Sequence, residues 1–302
     1  MSNPTGKAII CAMTPSFNTI ALIGKYKSQE IGEAVLRLAS FLQERGHQVL
    51  VARHTGEIIG NTTFPMADVS EIGARADLAI VLGGDGTMLG IACALSGYSV
   101  PLVGVNQGRL GFLADVLATS MLETISAILN GQFVAEERIL LAITIWRDGA
   151  PVCEACAFND VVVSKSSTGR LIEFEIAIDG QFVYSQRADG LVVATPTGST
   201  AYALSAGGPI LHPTLEAFIL VPISPHTLSA RPIAVNSHST VEVIVAHADD
   251  ARAHFDGQRH FELQINDKVV VRRAAKTIRL LHPAGHNYYD TLRQKLHWGE
   301  KL

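Results

Sequence analysis

One short glycine-rich segment contains the residues whose types are best suited to chemistry. Gly83-Gly84-Asp85-Gly86-Thr87 places a single carboxylate among three glycines. The apolar run 77–81 before it is typical of a buried strand, and the run 88–95 after it is typical of a helix. Glycines let a ligand approach the backbone closely, and a helix start directs N–H groups and a positive dipole end at that ligand. The segment therefore predicts phosphate binding at a strand-to-helix turn.

Asp85 is the reactive group of this segment. Because like charges repel, it is a poor direct ligand for phosphate, so it is expected to orient a hydroxyl nucleophile, accept its proton or reach a metal ion. The segment is not a Walker A motif, since no Gly-Lys-Ser/Thr ending follows, and Leu89 stands where the dinucleotide fingerprint needs a third glycine. The alternative is a tight turn with an aspartate cap, and the segment alone leaves both interpretations open.

Two further polar segments lie in the second half of the chain. The stretch Thr195-Pro-Thr-Gly-Ser-Thr-Ala-Tyr202 contains four hydroxyls ahead of a predicted helix start. Such a loop can bind ribose or phosphate, or it can be an ordinary Ser/Thr helix cap. Asn159-Asp160 opens an apolar strand and can hold an adenine edge or ribose hydroxyls, or merely form an Asx turn.

Alternating helix and strand patterns must position the glycine segment. The apolar spacing predicts a helix over Ile31–Arg45 and another over Met121–Asn130, with strands over Gln48–Ala52 and Pro101–Val105. A second glycine-rich loop, 106–112, follows the last of these strands. Alternation of this kind predicts a parallel sheet with both glycine loops at the carboxyl ends of its strands, where ligands bind.

Two stretches of this half have weaker patterns. Lys7–Met13 is a predicted first strand, and 14–18 is a predicted loop after it. Arg53–Val69 has no clean period, so we expect a mobile or ligand-covering loop there.

From about Phe133 onward, short β-rich runs follow one another, and Asp148-Gly149 and Asp179-Gly180 are predicted hairpin turns. The predicted strands are Ile139–Trp146, Phe158–Val163, Leu171–Ile178, Phe182–Gln186, Leu191–Ala194, Thr240–Ala246 and Lys268–Arg273. Only Thr200–Ala206 and the tail Tyr288–His297 have helical patterns. The sequence therefore predicts an α/β domain over residues 1–132 and a mostly β domain over residues 133–302.

Composition narrows the class of partner. The 302 residues have a formal net charge of -4, which provides no broad attraction for nucleic acid or anionic membrane and makes small ligands the expected partners. No apolar run approaches the length of a membrane span or a signal-peptide core, and the cysteine pattern suits reduced thiols, so a cytoplasmic location is expected. No histidines are spaced as a metal cluster, so His212, His226 and the others are expected to be surface or hydrogen-bonded core residues, and no residue is assigned as a metal ligand.

The motifs in this order resemble those of the bacterial NAD kinases. The resemblance rests on the Gly83–Thr87 segment, Gly108-Arg-Leu-Gly-Phe112, Asn159-Asp160, Arg187-Ala-Asp-Gly190, Thr195–Tyr202 and Pro225-His-Thr-Leu-Ser-Ala-Arg-Pro232. It implies the NAD kinase and diacylglycerol kinase-like fold and transfer of the ATP γ-phosphate to the 2′-hydroxyl of the adenosine ribose of NAD. It also implies a divalent metal cation such as Mg²⁺ and a homodimer or homotetramer.

The resemblance also assigns roles to residues. Asp85 is the implied proton acceptor, Phe112 is placed near the adenine, and Asn159 and Asp160 are expected to hold NAD. Many relatives have Asn-Glu at the latter pair, so the shorter Asp160 moves the charge back by one methylene. The implied nucleotide-binding residues are Gly84, Asp85, Gly86, Thr87, Phe112, Asn159, Asp160, Arg170, Arg187, Asp189, Thr200, Ala201, Tyr202, Ala203, Leu204, Ser205 and Gln258.

Two rival functions share some of these features. A lipid kinase can use the same glycine segment, but it predicts an apolar cleft and a basic amphipathic surface helix, whereas this sequence offers a hydroxyl-rich loop. A non-catalytic redox sensor that binds NAD or NADP needs the pocket but has no use for Asp85 beside the acceptor hydroxyl.

Overall fold

The computed structural model of the chain describes residues 17–24, 29–60, 63–108, 111–166 and 170–298. The chain divides into two compact units, one formed by Met1–Glu136 with Arg279–Leu302 and the other by Glu137–Ile278. The first is α/β and the second is mostly β, as the sequence predicted. The predicted strand Lys7–Met13 lies outside the described residues. Among those that are described, no helix combines the length and apolar character needed to cross a bilayer.

The helices and strands have these bounds. The helices are α1 Gln29–Glu44, α2 Arg53–Ile58, α3 Val69–Arg75, α4 Asp85–Leu95, α5 Met121–Leu129, α6 Tyr202–Ser205 and α7 Tyr288–Leu296, with a 3₁₀ turn at Gly198–Thr200. The strands are β1 Thr19–Gly24, β2 Gln48–Ala52, β3 Met66–Ala67, β4 Leu78–Leu82, β5 Leu102–Asn106, β6 Val116–Leu117, β7 Phe133–Arg138, β8 Leu141–Arg147, β9 Ala150–Ala157, β10 Asp160–Lys165, β11 Ile172–Ile178, β12 Gln181–Ala188, β13 Gly190–Ala194, β14 Ala217–Ile223, β15 Ile233–Asn236, β16 Val241–His247, β17 Ala251–Phe255, β18 Arg259–Leu263, β19 Lys268–Arg273 and β20 Ile278–Pro283.

The first unit is built on one sheet of order β3-β2-β1-β4-β5-β20-β7, with β6 beside β5. The pairs among β1 to β5 are all parallel. All five residues of β4 are buried, as expected for a strand covered on both faces. The chain order reverses between β1 and β4, and ligands in open α/β sheets bind at such a switch point. The Gly83–Thr87 segment follows β4 directly and so lies at this point.

The end of the chain returns to the first unit. β20 lies beside β5 and pairs with it in parallel, and Leu280 and Leu281 of β20 are buried. The sequence-based division placed all of residues 133–302 in the second domain, so the two divisions differ over this segment. Its apolar run was not recognised as a strand because its partner strand is distant in the chain.

The stretch Arg53–Val69 is not an irregular loop in the part that the structure describes. It contains α2 and β3, and Asp68 begins α3 with a capping box in which the Glu71 carboxylate accepts the Asp68 N–H at 3.1 Å. The Asp-x-x-Glu spacing is a helix-start signal that sequence reasoning missed. Because α2 and β3 are very short, hydrophobic period alone does not reveal them.

The second unit consists of two six-stranded sheets, of order β15-β14-β13-β10-β17-β18 and β12-β11-β16-β19-β8-β9. Alternate buried residues of both sheets share one apolar core, which includes Phe174 and Phe218. Both predicted hairpin turns are confirmed, because Asp148-Gly149 and Asp179-Gly180 have positive φ at each residue. The sequence missed β9, β14, β15, β17 and β18, which have weaker patterns or lack flanking turn signals.

The sheet that contains β10, β13 and β14 is apolar on both faces. Its second face packs on Ala203 of α6 in a smaller cluster with Val162, Val192, Ala194, Ile219 and Val221. This packing explains why β13 is buried at all five positions and does not alternate. It also fixes the loop 195–202, which joins β13 to α6, at one end of the sheet.

Candidate functional site

The Asp85 turn is positioned by the end of β4. Gly84 precedes α4, and no side chain caps the helix there. Thr87 folds back on Gly83, where an added Cβ would lie 2.5 Å from the Thr87 hydroxyl oxygen. The turn thus needs glycine at position 83 for close packing. The uncapped start of an eleven-residue helix fits the predicted phosphate role.

The Asp85 carboxylate makes three backbone hydrogen bonds. It accepts the N–H groups of Phe112 at 2.8 Å, Leu113 at 3.0 Å and Ala114 at 3.1 Å. Gly111 lies against it so closely that a Cβ there would be 2.1 Å from the carboxylate oxygen. A carboxylate offers about four acceptor positions. Asp85 is therefore a bracing group for the second glycine loop and retains roughly one acceptor position for a ligand hydroxyl.

The cap interpretation of Asp85 describes part of the observed geometry, and its catalytic role stays a prediction. The side chain caps backbone N–H groups, but those of a distant loop, and it is only half-buried. Phe112, predicted near the adenine, is half-buried and is fixed by its own N–H on Asp85. Arg109 and Leu110 lie outside the described residues. The two glycine loops, predicted at one edge of the sheet, are joined through this one carboxylate.

In the second unit, Asn159 and Asp160 lie where β10 begins, and a third acid holds them. Asp256 accepts the N–H groups of Phe158 at 2.8 Å, Asn159 at 2.7 Å and Asp160 at 3.1 Å. In return, the Asp256 N–H donates to the Asp160 carbonyl at 3.0 Å. Sequence reasoning missed Asp256. The Asp256-Gly257 pair, typical of a hairpin turn, was the available signal.

The pKa values of Asp160 and Asp256 are both raised. Asp160 is 4 % exposed, and burial together with the nearby charge of Asp256 raises the pKa of Asp160 to about 7. Burial also raises the pKa of Asp256, although its three backbone hydrogen bonds act in the opposite direction. Buried acids with shifted pKa values are more common at functional sites than elsewhere.

A cavity of about 420 Å³ opens beside these residues. Four of the predicted residues line it, namely Asn159, Asp160, Ala201 and Tyr202. The other lining residues are Val162, Ser164, His254, Asp256 and Gly257. Its volume suits a small organic ligand or part of a dinucleotide. The pairing of β10 with β17 brings the lining residues near β10 next to those of the β17 hairpin. Because these strands are far apart in the chain, no local sequence pattern reveals this cavity.

The four hydroxyls of the loop 195–202 are engaged within the protein. Thr195, Thr197 and Ser199 are buried, and Thr195 donates to the Phe158 carbonyl at 2.6 Å while Ser199 donates to the Pro196 carbonyl at 2.6 Å. Thr197 accepts from Arg138, and Thr200 donates to the Thr197 carbonyl. They brace the loop, and the Thr195 hydroxyl also accepts the N–H of Gly198 at 3.1 Å, where the 3₁₀ turn begins.

The remaining predicted residues do not line this cavity. Arg170, Arg187 and Gln258 are exposed, and Asp189 forms an ion pair of 2.6 Å with Lys165. In α6, the Ala203 side chain is fully buried in apolar packing, Leu204 is half-buried and Ser205 is exposed. For Ala203 and Asp189, packing and ion pairing are therefore the observed roles.

Two histidines, His282 and His286, are hydrogen-bonded within the first unit, as expected for histidines that are not on the surface, but sequence reasoning did not show that they lie together. Asp115, His282 and His286 meet in the first unit, where one Asp115 oxygen lies 2.8 Å from His282 Nδ1 and 3.0 Å from His286 Nδ1. The two rings stack at 4.0 Å with planes 16° apart. A metal ion must lie near the plane of each imidazole that binds it, and stacked rings share no such position. The cluster is a hydrogen-bonded one that ties β20 to the segment before β6.

A glycine turn at the switch point of a parallel sheet, with a ligand-sized cavity in a separate β unit, is the arrangement of a nucleotide-binding α/β plus β protein. Residues 20–133 match the ATP-NAD kinase N-terminal domain, and residues 158–282 match the ATP-NAD kinase C-terminal domain. The chain belongs to the NAD kinase family.

Individual relatives agree with this assignment. The chain is 60 % identical to an NAD kinase of Thiobacillus denitrificans, over 95 % of this chain and 99 % of the relative. It is 53 % identical to one of Chromobacterium violaceum, over 95 % and 98 %. In fold it resembles yeast NADH kinase complexed with NADH, with a TM-score of 0.88 at 23 % identity over 95 % of this chain and 90 % of that one. It also resembles an Archaeoglobus fulgidus NAD kinase in complex with ATP, with a TM-score of 0.70 at 23 % identity over 92 % and 98 %.

Proposed function

We propose that in this NAD kinase Asp85 is the general base for phosphate transfer from ATP to the 2′-hydroxyl of the adenosine ribose of NAD. The chain is an ATP-dependent phosphotransferase with NAD and ATP as substrates. The observation that supports the role of Asp85 is its carboxylate, which follows β4 at the switch point of the sheet and retains about one acceptor position beside its three backbone bonds.

The reaction needs no covalent intermediate. The Asp85 carboxylate accepts the proton of the ribose 2′-hydroxyl while the 2′-oxygen forms a bond to the γ-phosphorus of ATP. The bond between that phosphorus and the β,γ-bridging oxygen breaks, and ADP leaves. The three backbone bonds fix the carboxylate before substrate arrives, so little ordering entropy is lost during the reaction. Gly84, Gly86 and Thr87, at the uncapped start of α4, suit the phosphates of the nucleotide.

A divalent cation is part of the proposal. Mg²⁺ usually binds through substrate phosphates, water and one or two carboxylates, and it neutralises phosphate charge when bound with ATP. The described residues fit that mode, because Asp85 is the only carboxylate in the glycine turn and most of its acceptor positions are occupied. Asp85 would hold such an ion through a bound water, because its remaining acceptor position takes the ribose hydroxyl.

The proposed NAD-holding groups lie in the second unit. Asn159 and the ionised Asp160 can accept hydrogen bonds from ribose hydroxyls or amide groups, and both line the cavity of about 420 Å³. Tyr202 is 46 % exposed and offers an aromatic face and a hydroxyl at the same cavity. Arg170, Arg187, Asp189 and Gln258 stay proposed contacts that rest on family resemblance alone.

One assay separates the three candidate activities. Purified protein is incubated with ATP and Mg²⁺ and with either NAD or diacylglycerol vesicles, and NADP and phosphatidate are measured. We expect NADP only. Phosphatidate would support a lipid kinase, and NAD binding without turnover would support a sensor. Repeating the NAD reaction after chelation, with metal added back, tests the cation.

Two broader expectations belong to the same proposal. Assembly as a homodimer or homotetramer is measured by sedimentation of the full chain, and a monomer at working concentration would contradict it. A cytoplasmic location is measured by fractionation of the cells that produce the protein.

A further inference from the structure

The tip of the β17–β18 hairpin carries a residue that the proposed reaction does not use directly. Asp256 and Gly257 have φ values of 51° and 64°, and the Gln258 N–H donates to the Phe255 carbonyl at 3.0 Å across them. These are the features of a type I′ turn. The turn directs the Asp256 side chain back over the start of β10, where it accepts three successive N–H groups.

We propose that Asp256 is a positioning residue for NAD, which holds Asn159 and Asp160 in their binding orientation through the backbone. This inference rests on the proposed NAD contacts of Asn159 and Asp160. It assigns to Asp256 no contact with the reacting atoms.

The backbone of this segment is held from two sides. Asp256 binds its N–H groups, while the Asn159 carbonyl accepts the Thr195 N–H at 2.9 Å and the Phe158 carbonyl accepts the Thr195 hydroxyl at 2.6 Å. Gly198 approaches so closely that a Cβ there would lie 2.1 Å from the Asn159 carbonyl oxygen. Such bracing fixes the backbone, and with it the directions in which the two side chains leave the chain, which is part of the preorganisation of a binding site.

Asp256 also acts on the charge of its neighbour. The titratable groups that face Asp160 across the cavity are Asp256 and His254 of the β17 hairpin and Tyr202 of α6. The Asp256 charge adds to burial in raising the pKa of Asp160 to about 7. If NAD binds the ionised form, the KM for NAD rises as pH falls below about 7. Removing the Asp256 charge moves this rise to lower pH.

Two substitutions separate positioning from plain stability. Asp256→Gly removes all three hydrogen bonds but tolerates the positive φ, and Asp256→Asn tolerates it while keeping one acceptor oxygen. Asp148→Gly is a matched control, because Asp148 has a φ of 50° in an Asp-Gly hairpin turn of the same unit and is exposed. Each variant is characterised by a thermal melt and by NADP production as a function of NAD concentration and pH.

We expect Asp256→Gly to raise the KM for NAD about tenfold or more, since loss of buried hydrogen bonds of this kind corresponds to at least one factor of ten. Turnover at saturating NAD should fall less, about threefold at most, because a positioning residue mainly affects binding. Asp256→Asn should raise the KM for NAD less than Asp256→Gly does. In Asp256→Asn, the increase in KM that occurs at low pH should begin at a lower pH than in the wild type. Asp148→Gly should match the wild type in both.

The result that would overturn the inference is a folded Asp256→Asn or Asp256→Gly protein with the KM and the pH profile of Asp148→Gly. If Asp256→Gly does not fold, Asp256→Asn carries the test through its KM for NAD at pH 8, with the pH profile as a second readout. If the wild type makes no NADP, the proposed function fails. If the wild type makes NADP and the Asp256 variants bind NAD normally, only the positioning role fails.

Discussion

The two units use the same device with different results. In the first, Asp85 accepts the N–H groups of residues 112–114, and in the second, Asp256 accepts those of residues 158–160. Asp85 lies in a glycine turn whose neighbours Gly84 and Gly86 are exposed. Asp256 lies in a hairpin turn beside a second buried acid, Asp160.

The difference shows what decides the role of a carboxylate that braces a loop. Where small residues leave the carboxylate accessible, the bracing also orients the acid itself for chemistry, as proposed for Asp85. Where the acid lines the same cavity as the residues that it holds, its proposed effect on a ligand is through those residues, as for Asp256. Hydrogen-bond geometry alone does not separate the two cases.

The first prediction concerns Asp85, where we expect the greatest loss of turnover. Asp85→Asn removes the proton acceptor and should lower turnover by roughly 10²- to 10⁴-fold, with little change in the KM for NAD. Because the amide keeps one acceptor oxygen, some backbone bonding is lost, and a lower melting temperature is expected. Steady-state NADP production and a melt on one preparation measure both, with Asp256→Asn as the control for the same loss of bonding. A folded Asp85→Asn enzyme with near wild-type turnover would reduce Asp85 to a bracing residue.

A smaller effect is expected from moving the Asp85 carboxylate without removing it. In Gly111→Ala, the new Cβ would lie 2.1 Å from the carboxylate oxygen, whereas Gly108→Ala in the same loop meets nothing within 4 Å. Displacing a catalytic group by about 1 Å can cost roughly 10²-fold in rate, so Gly111→Ala should lower turnover up to that amount and Gly108→Ala should not. Equal turnover in the two folded variants would contradict the placement of Asp85.

The last prediction concerns Asp160 in the second unit and the dependence of protein stability on pH. Because the folded-state pKa of Asp160 is raised to about 7, the folded protein binds a proton that the unfolded chain has lost between about pH 4 and 7. The contribution of Asp160 to stability therefore falls as pH rises through that window. Asp160→Asn should be more stable than the wild type at pH 8, by on the order of 1 kcal/mol or more, and should lose most of this advantage at pH 5.

Urea unfolding at the two pH values measures this prediction. Asp148→Asn is the control, because it removes the same charge from an exposed hairpin position. We also expect Asp160→Asn to bind NAD more weakly, so stability and affinity should change in opposite directions. If the Asp160→Asn protein were less stable than the wild type at pH 8, the folded protein would not destabilise the charged form of Asp160, and the prediction would be wrong.

Local pattern predicted many of the elements but missed those whose signal depends on distant partners. β2 and β19 were predicted with their observed bounds, because an apolar run with a clear end specifies a buried strand. β17 and β20 were missed, since they pair with strands that are distant in the chain. β18 was missed although Asp256-Gly257 is a local signal of its hairpin with β17. The hydroxyl-rich loop was recognised from the sequence. The sequence did not reveal that the Thr195 and Ser199 hydroxyls form hydrogen bonds with backbone carbonyls of the protein.

Neighbouring residues alone predict that Asp85 lies in a glycine turn between a buried strand and a helix, and that Asn159-Asp160 begins an apolar strand. The groups that these acids contact follow from the folded structure. The N–H partners of Asp85 lie 27 to 29 residues away, and those of Asp256 lie 96 to 98 residues away. Such contacts depend on strand register across the whole sheet, which is fixed by burial of many apolar residues at once and leaves no mark at the acids themselves.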